Sequence, residues 1–405
     1  MISQGWKEVK ISEIGVVVTG NTPPTHDRSF YGGEIPFVAP GDLGFRKYIT
    51  TSEKTITERG LAVCRPIPAG ATLFTCIGST IGKIGLAAVP LATNQQINSV
   101  IPEDNYDPEF IYYQLANVAE RIAKMAGAHA VPIIAKSQFS AEKILVPTLV
   151  EQRRIAEILS TWDRAIETVE ALIANARAQK AALMQILLTG KRRLPGFSSE
   201  WERAALGGRG DFRKGKGISR AEVKGAGIPC VRYGEIYTRH DDIVRDFGSF
   251  IDTASASRSE PIIRSDILFA CSGETAEEIG KCVAYLGDHE AYAGGDIVIF
   301  SPERDNPVFL AYLLNSPPLV MQKSQMGQGN SVVHISASNL AKLQIVIPEL
   351  DEQDAIAQRL LDSDTQISSH QFQLTALRQE RAALMQQLLT GKRRVRVPAE
   401  AAQCL

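Results

Sequence analysis

The sequence predicts an α+β protein: two mixed α/β globular domains separated by an intramolecular antiparallel coiled coil of two long helices, arranged as a pseudo-two-fold internal duplication. Three observations predict it. ALMQILLTGKRRL (182–194) recurs as ALMQQLLTGKRRV (383–395), with 11 of 13 positions identical at an offset of 201. Each copy of that phrase closes a stretch of about 40 residues with apolar positions spaced four and three apart, the a/d frame of a coiled coil. Before each stretch stand about 150 residues of strand-like runs and turn signals.

Residues 1–150 read as the first globular domain. Strand-like runs are IGVVVTG (14–20), IPFVAP (35–40), ATLFTCIG (71–78) and INSVIP (97–102), and a helix follows Pro108. Pro147 ends the last strand. Residues 151–190 then form a first spacer helix, whose stripe is Ile155, Leu159, Trp162, Ile166, Val169, Ile173, Ala176, Leu183 and Leu187. Gly190 is placed to end it as a C′ residue. KRRLPGFSSE (191–200) is a short polar linker. Residues 201–350 are the second domain, with a strand at DIVIFSP (296–302) and a helix after Pro307. Residues 351–391 form the second spacer helix, with Ile356, Leu360, Ile367, Leu374, Leu377, Leu384 and Leu388 in its stripe and Gly391 at its end; 392–405 is a basic, then flexible, tail.

The duplication extends beyond the helices. ILVPTLVEQRRIAEIL (144–159) lies against IVIPELDEQDAIAQRL (345–360), and PEFIYYQL (108–115) against PVFLAYLL (307–314). A helix of about 40 residues at 1.5 Å per residue is a rod about 60 Å long. Its apolar stripe needs a partner, and the other copy in the same chain supplies one. The intervening domain makes antiparallel pairing the simple solution. Lys180 and Arg381 interrupt the stripe at a positions, and Ser363 and His370 at d positions of the second copy only. Snorkelling at loosely packed ends accounts for such residues; a sharper reading is that they fix register.

Composition narrows the class. The formal net charge is −1, so the chain is no generally basic nucleic-acid coat. Locally, FRKGKGISR (212–220) holds four basic residues and no acid. The six cysteines include no C-x-x-C pair, and burial as small hydrophobes accounts for them. No signal core or run of about 18 apolar residues occurs, which predicts a cytoplasmic protein off the membrane.

Several chemical motifs fail on inspection. GSTIGKI (78–84) has three residues between its glycines where a phosphate loop needs four, and no Ser or Thr follows Lys83. NTPPT (21–25) lacks the aromatic that would stack on a flipped base. EVK (222–224) has no paired acid at nuclease spacing. The scattered histidines form no metal motif, and no nucleophile, base and orienter can be assembled. What remains is a binding architecture suited to a bipartite DNA site.

The chain resembles the specificity subunit of type I restriction–modification systems. The resemblance is carried by TGNTPPTHDRSFYGGEIPFVAPGDL (19–43), IGSTIGKIGLAA (77–88) and TNQQINSVIP (93–102) in the first domain. In the second it is carried by FRKGKGISRAEVKGAGIPCVRYGEIYT (212–238), residues 268–302 and QMGQGNSVVHISASNL (325–340). IP-x-x-x-EQ, then a heptad helix and LLTGKRR, is similar to the family's spacer regions. The resemblance implies two target-recognition domains, each reading half of a split duplex target, with the coiled coil setting the gap. It implies no catalytic site and no bound cofactor or metal on this chain. Two methyltransferase subunits would dock on it, and restriction subunits (translocase/endonuclease) would join them. S-adenosylmethionine, ATP and Mg²⁺ would then belong to those partners. A specificity subunit of a methylation-only system, a stand-alone nuclease and a non-DNA scaffold are the competing readings.

Base readout needs Arg or Lys for guanine and Asn or Gln for adenine, whereas phosphate contacts need Lys, Arg, Ser, Thr or free amides. In the first domain these criteria select Thr19, Asn21, Thr22 and Arg28 in the first loop and Ser79, Thr80 and Lys83 in a glycine-bounded loop. Asn94, Gln95, Gln96 and Asn98 form a polar cluster, and His129 and Lys136 precede the last strand. In the second domain they select Arg213, Lys214, Lys216, Arg220, Arg232, Tyr233, Arg239, Ser272, Glu274, Lys281, Gln328, Asn330 and His334. Polar loop residues also face water or cap turns for purely local reasons, so each is an expectation to be placed.

Overall fold

A computed structural model describes residues 5–127, 131–329 and 332–396. By contacts the chain forms two compact units: residues 1–170 with 372–405, and residues 171–371. The dividing points fall inside the spacer helices, because each half-helix belongs to the core of one unit. The helices run Leu149–Leu187 and Leu350–Leu388, 39 residues each.

Within the first unit, Ile155 and Leu159 of the first long helix and Leu388 and Leu389 of the second share a core with Trp6, Phe74, Phe110 and Phe139. Within the second, Leu187, Leu188, Ile356 and Leu360 share a core with Phe269, Phe300 and Phe309. The helix halves run antiparallel in each unit, as the pairs Asp163–Arg381 and Glu170–Arg378 in one and Lys180–Asp364 in the other show. Every predicted stripe residue is buried or half-buried. Gly190 and Gly391 take φ +66° and +69°, the left-handed region that glycine occupies without strain. The chain turns there, and the Arg192 and Arg393 amides donate to the Ile186 and Gln387 carbonyls.

Each unit repeats one sheet topology. In the first, a five-stranded sheet has the order Gly15–Thr19, Ile97–Pro102, Thr72–Thr75, Ile84–Ala87, Tyr48–Ile49. In the second the order is Gly210–Lys214, Ile297–Pro302, Ile267–Ala270, Cys282–Tyr285, Ile243–Val244. In both, the first four strands pair antiparallel and the last is parallel. A smaller sheet follows the same plan: Lys54–Ile56, Tyr31–Val38 and Ala92–Thr93 in the first unit, and Ser249–Ile251, Ile228–Val231 and Ala291–Ala293 in the second, extended there by Glu260–Ile262. The helices after Pro108 and Pro307 carry proline in their first turn, where its missing N–H has no intrahelical partner to lose. Asp107 and Asn306 cap them.

Candidate nucleic-acid interface

Strand register gathers the first unit's polar candidates. Thr19 lies opposite Asn98, Asn98 opposite Phe74, and Phe74 opposite Ile84. The loops that leave this end of the sheet are therefore residues 20–24, 94–96 and 76–83. Across them, Thr22 Oγ1 donates to Gln95 Oε1 at 2.7 Å, and Asn94 Nδ2 donates to Gln96 Oε1 at 2.9 Å. Asn94 Oδ1 also accepts the Gln96 amide, an Asx turn that orients the glutamine. Ser79 is exposed and Thr80 half-buried, in a loop bounded by Gly78 and Gly82 at φ +96° and +93°. Lys83 follows. Lys136 is exposed at the first residue of the helix Lys136–Ala141.

Two of the expected DNA contacts serve the fold instead. Asn98 is 3% exposed, accepts from Thr19 Oγ1 at 2.7 Å and donates to Cys76 Sγ at 3.1 Å. It braces the strand end from inside, on the strand face that carries Val100 and packs toward Cys76. Asn21 is spent on backbone: its Nδ2 donates to the Val63 carbonyl and its Oδ1 accepts the Arg65 amide. Arg65, which sequence reasoning passed over, is exposed beside this cluster and donates to the Thr19 carbonyl at 2.7 Å. Arg28 is exposed in the turn Arg28–Phe30, with no hydrogen bond joining it to the cluster among the described residues. His129 lies outside the described residues.

The second unit presents a different surface on the same frame. Lys214 is exposed at the end of its strand, opposite Val298, and Lys216 and Arg220 follow, also exposed. Lys216 Nζ reaches Glu260 at 2.9 Å but remains 66% exposed. Arg213, one residue before Lys214, points to the other face. Its guanidinium, 31% exposed, is held by Asp266 at 2.7 Å and Glu260 at 3.2 Å. Arg239 is forked onto Asp246, and Lys281 donates to the His240 carbonyl at 2.7 Å. Arg239 and Lys281 line a cleft of about 940 Å³ whose walls also carry Lys180, Asp242 and Asp364. Arg232 donates to Ser249 Oγ at 3.0 Å, and Tyr233 is exposed at the start of a short helix.

Ser272 is buried, so it too departs from the expectation of a direct contact. Its Oγ lies 2.9 Å from His334 Nδ1, and the His334 ring is exposed above it. Gln328 exchanges backbone bonds with His334 and is exposed, as is Glu274. Ser272, Gln328 and His334 thus come together, whereas Asn330 lies outside the described residues.

The duplicated phrase has a structural role that its GK and RR letters did not reveal. Arg193 binds Glu352 through Nε and Nη2 at 2.6 and 2.5 Å, and Arg394 binds Glu151 at 2.7 Å through each. The neighbouring Gln152 and Gln353 accept the backbone amides of Asp107 and Asn306 and donate to the carbonyls of Pro147 and Pro348. The EQ pair therefore ties helix, preceding strand and domain helix together. Its recurrence at offset 201 is the signal that could have identified it.

Lys180 and Arg381, read as interruptions of the stripe, carry paired polar layers. Lys180 lies 2.6 Å from Asp364 and 2.9 Å from Asp242, and Tyr312 donates to Asp364. Burial opposes the Lys180 charge, but the two carboxylates outweigh it and hold its pKa above the ordinary value. In the first unit Arg381 pairs with Asp163, to which Tyr113 also donates. Nearby, burial pulls the Lys47 ammonium below its usual range despite its bond to Glu109. Ser363 donates to the carbonyl of Arg359 in its own helix.

Among the described residues no group of three or more His, Cys, Asp or Glu could hold a metal ion, and no helix is long and apolar enough to cross a membrane. The sequence profile of the type I restriction modification DNA specificity domain matches residues 3–176 and again 198–379. The type I restriction enzyme MjaIX specificity subunit of Methanocaldococcus jannaschii is 26% identical over 426 residues, covering 97% of this chain and 95% of that one. The EcoR124I/EcoR124II specificity subunit of Escherichia coli is 33% identical over 40% of this chain and 42% of its own length. The S subunit of a type I system from M. genitalium matches in structure with a TM-score of 0.63 at 16% identity, covering 95% of this chain and 96% of that one. That last likeness is one of fold.

Proposed function

The chain belongs to the family of type I restriction–modification DNA specificity domains, and we propose that it reads a bipartite duplex target, one half-site per domain. As a specificity subunit it is a non-catalytic component of a type I restriction enzyme. In this reading residues 1–150 and 201–350 are the recognition domains. The spacer helices of 151–190 and 351–391 set the gap between half-sites and, with the domains, dock two methyltransferase subunits; 191–200 is a linker and 392–405 a tail. Restriction subunits join that assembly in the cytoplasm. S-adenosylmethionine, ATP and Mg²⁺ are used by the partners.

One observation carries the reading. The same sheet topology occurs twice, and the same end of it bears amides in one copy (Gln95 and Gln96) and basic groups in the other (Lys214 and Lys216). A repeated scaffold with unlike polar tips is what two half-sites of different sequence require. In the first domain we assign readout to Thr22, Gln95 and Gln96, with Ser79, Thr80 and Lys83 on phosphate. In the second we assign it to Arg232, Gln328 and His334, with Lys214, Lys216 and Arg220 on phosphate. Selection from random duplexes by the chain together with its methyltransferase tests the proposal. A two-part consensus with a fixed gap is the expected result; no enrichment, or a single continuous site, refutes it.

A further inference from the structure

We propose that Phe45 is a base-stacking residue of the first recognition domain, set against Lys83 to unstack one base step at the flank of its half-site. The proposal rests on the DNA-reading role above.

Phe45 is 79% exposed, and the Lys83 ammonium stands 4.9 Å from its ring centroid. An exposed phenylalanine loses hydrophobic stabilisation that burial would give it, yet this one is held by a specific backbone device. Gly44 has φ +91°, and a Cβ there would meet Lys83 Cγ at 3.3 Å. The turn thus needs glycine, both for its conformation and for the close approach that brings ring and ammonium together. Arg46, next in sequence, is also exposed.

Register puts this pair on the interface. Tyr48 lies beside Leu86 in a parallel pair, so the residues before Tyr48 and the residues before Ile84 leave the sheet at the same end. That is the end from which the loops of Thr22, Gln95, Gln96 and Ser79 project. The strand order places Thr19 at one margin and Phe45 at the other. Four inter-strand steps of about 4.8 Å span roughly 19 Å, the length of five to six base steps at about 3.4 Å each. Phe45 therefore lies at one flank of the half-site, at the margin opposite Thr22 and the glutamines.

The chemistry is that of a cation–π sandwich. Lys83 covers one ring face and supplies charge for a phosphate, and a base stacks on the other. Among the described residues the second domain shows no such device. Its equivalent lysine, Lys281, precedes Cys282 as Lys83 precedes Ile84, but donates to the carbonyl of His240, and His240 is only 4% exposed. A flank distortion of this kind, separate from the base each methyltransferase flips, is therefore expected in one half-site only.

The test uses the complete methyltransferase complex on the duplex that the wild type selects. Permanganate reactivity of thymines and 2-aminopurine fluorescence are read through both half-sites for wild type, Phe45→Ala and Phe45→Trp. Beyond the base that each methyltransferase flips, the wild type should show one further unstacked step at the flank of the first domain's half-site and no such step at the flank of the other. Phe45→Ala should abolish that signal and weaken specific binding roughly 10- to 100-fold, with non-specific binding within about twofold. Phe45→Trp should retain both. Unchanged affinity and reactivity in Phe45→Ala, or a wild-type duplex without that further step, overturns the proposal. So does loss of methyltransferase assembly with DNA distortion intact, which would mark a protein contact instead. If the wild type selects no bipartite sequence, the DNA-reading role itself fails, a result obtained before any variant is made.

Discussion

Arg193 forks onto the carboxylate of Glu352, a side chain only 2% exposed to solvent, and Trp201 Nε1 donates to the same carboxylate at 3.2 Å. The last arginine of the first copy of the repeated phrase is thus locked to the start of the second spacer helix. Removing the guanidinium leaves an uncompensated buried anion, which is far more damaging than removing both partners. Arg193→Ala should lower the thermal midpoint of unfolding by about 5 °C or more. The double variant Arg193→Met, Glu352→Met should recover most of that loss. Calorimetry on the two variants separates an ion pair needed for charge balance from one that merely fills space.

Asp305 gives the second domain an acid-sensitive point. Burial pushes its pKa up, but the bidentate Arg209 contact (2.8 and 2.7 Å) and the Gln353 amide prevail and hold it below its ordinary 3.8. A carboxyl with a depressed folded pKa binds protons more readily once unfolded. Its contribution is complete above about pH 4, and is lost as pH falls below 3.8 and through the lower folded value. Asp305→Asn should therefore be less stable than wild type at neutral pH, and the difference should shrink below pH 4. Urea midpoints measured from pH 7 to pH 2.5 check the sign. A difference that widened in acid would contradict it.

Lys216 and Gln96 separate affinity from sequence choice. Lys216 is largely exposed despite its Glu260 contact, so a phosphate can displace that carboxylate. Lys216→Ala should weaken binding to all duplexes alike and reduce the salt slope by about one. Gln96, oriented by Asn94, should behave differently: Gln96→Ala should relax one base position in one half-site, at a discrimination loss of about 1–3 kcal/mol. Binding titrations across salt, followed by repeat selection with each variant, distinguish the two.

These outcomes mark where sequence was legible. The long helices, their glycine ends and their buried stripes follow from local periodicity and from one phrase repeated at a fixed offset. The strand runs near 15–19, 72–75 and 97–102 follow from β-branched composition. The role of polar side chains was harder to read, because it depends on which face of a strand a residue occupies. Arg213 and Lys214 are adjacent and chemically alike, yet alternation turns one onto Asp266 and leaves the other exposed. Asn98 sits in the same short polar cluster as Gln96, but falls on an inward position of its strand. Phe45 was passed over, because nothing in the local sequence separates an exposed aromatic from a buried one, and the structure shows it outside.

Lys323 poses a last question of charge. It is 1% exposed, and its Nζ donates to the Gly280 carbonyl at 2.6 Å, with no carboxylate in an ion pair among the described residues. The residue 201 positions earlier, Ile122, is a fully buried apolar side chain in the first unit. Burial holds the Lys323 pKa below its ordinary 10.5. For a base, this means that the folded state disfavours the proton which the unfolded state keeps. Stability contributed by the site is therefore present above pH 10.5 and declines as pH falls through the folded value. Lys323→Met keeps the stem's volume and removes the charge. It should equal or exceed the wild type in stability at neutral pH, by up to about 2 kcal/mol, because a buried charge is often replaced by an apolar group at no loss. The wild type should close that gap as pH is raised toward 10.5, whereas the variant should show no gain from this site. Denaturation midpoints of the two proteins at pH 7, 8.5 and 10 test the sign. A methionine variant much weaker than wild type at pH 7 would instead mean that the ammonium's hold on the Gly273–Lys281 loop outweighs its desolvation.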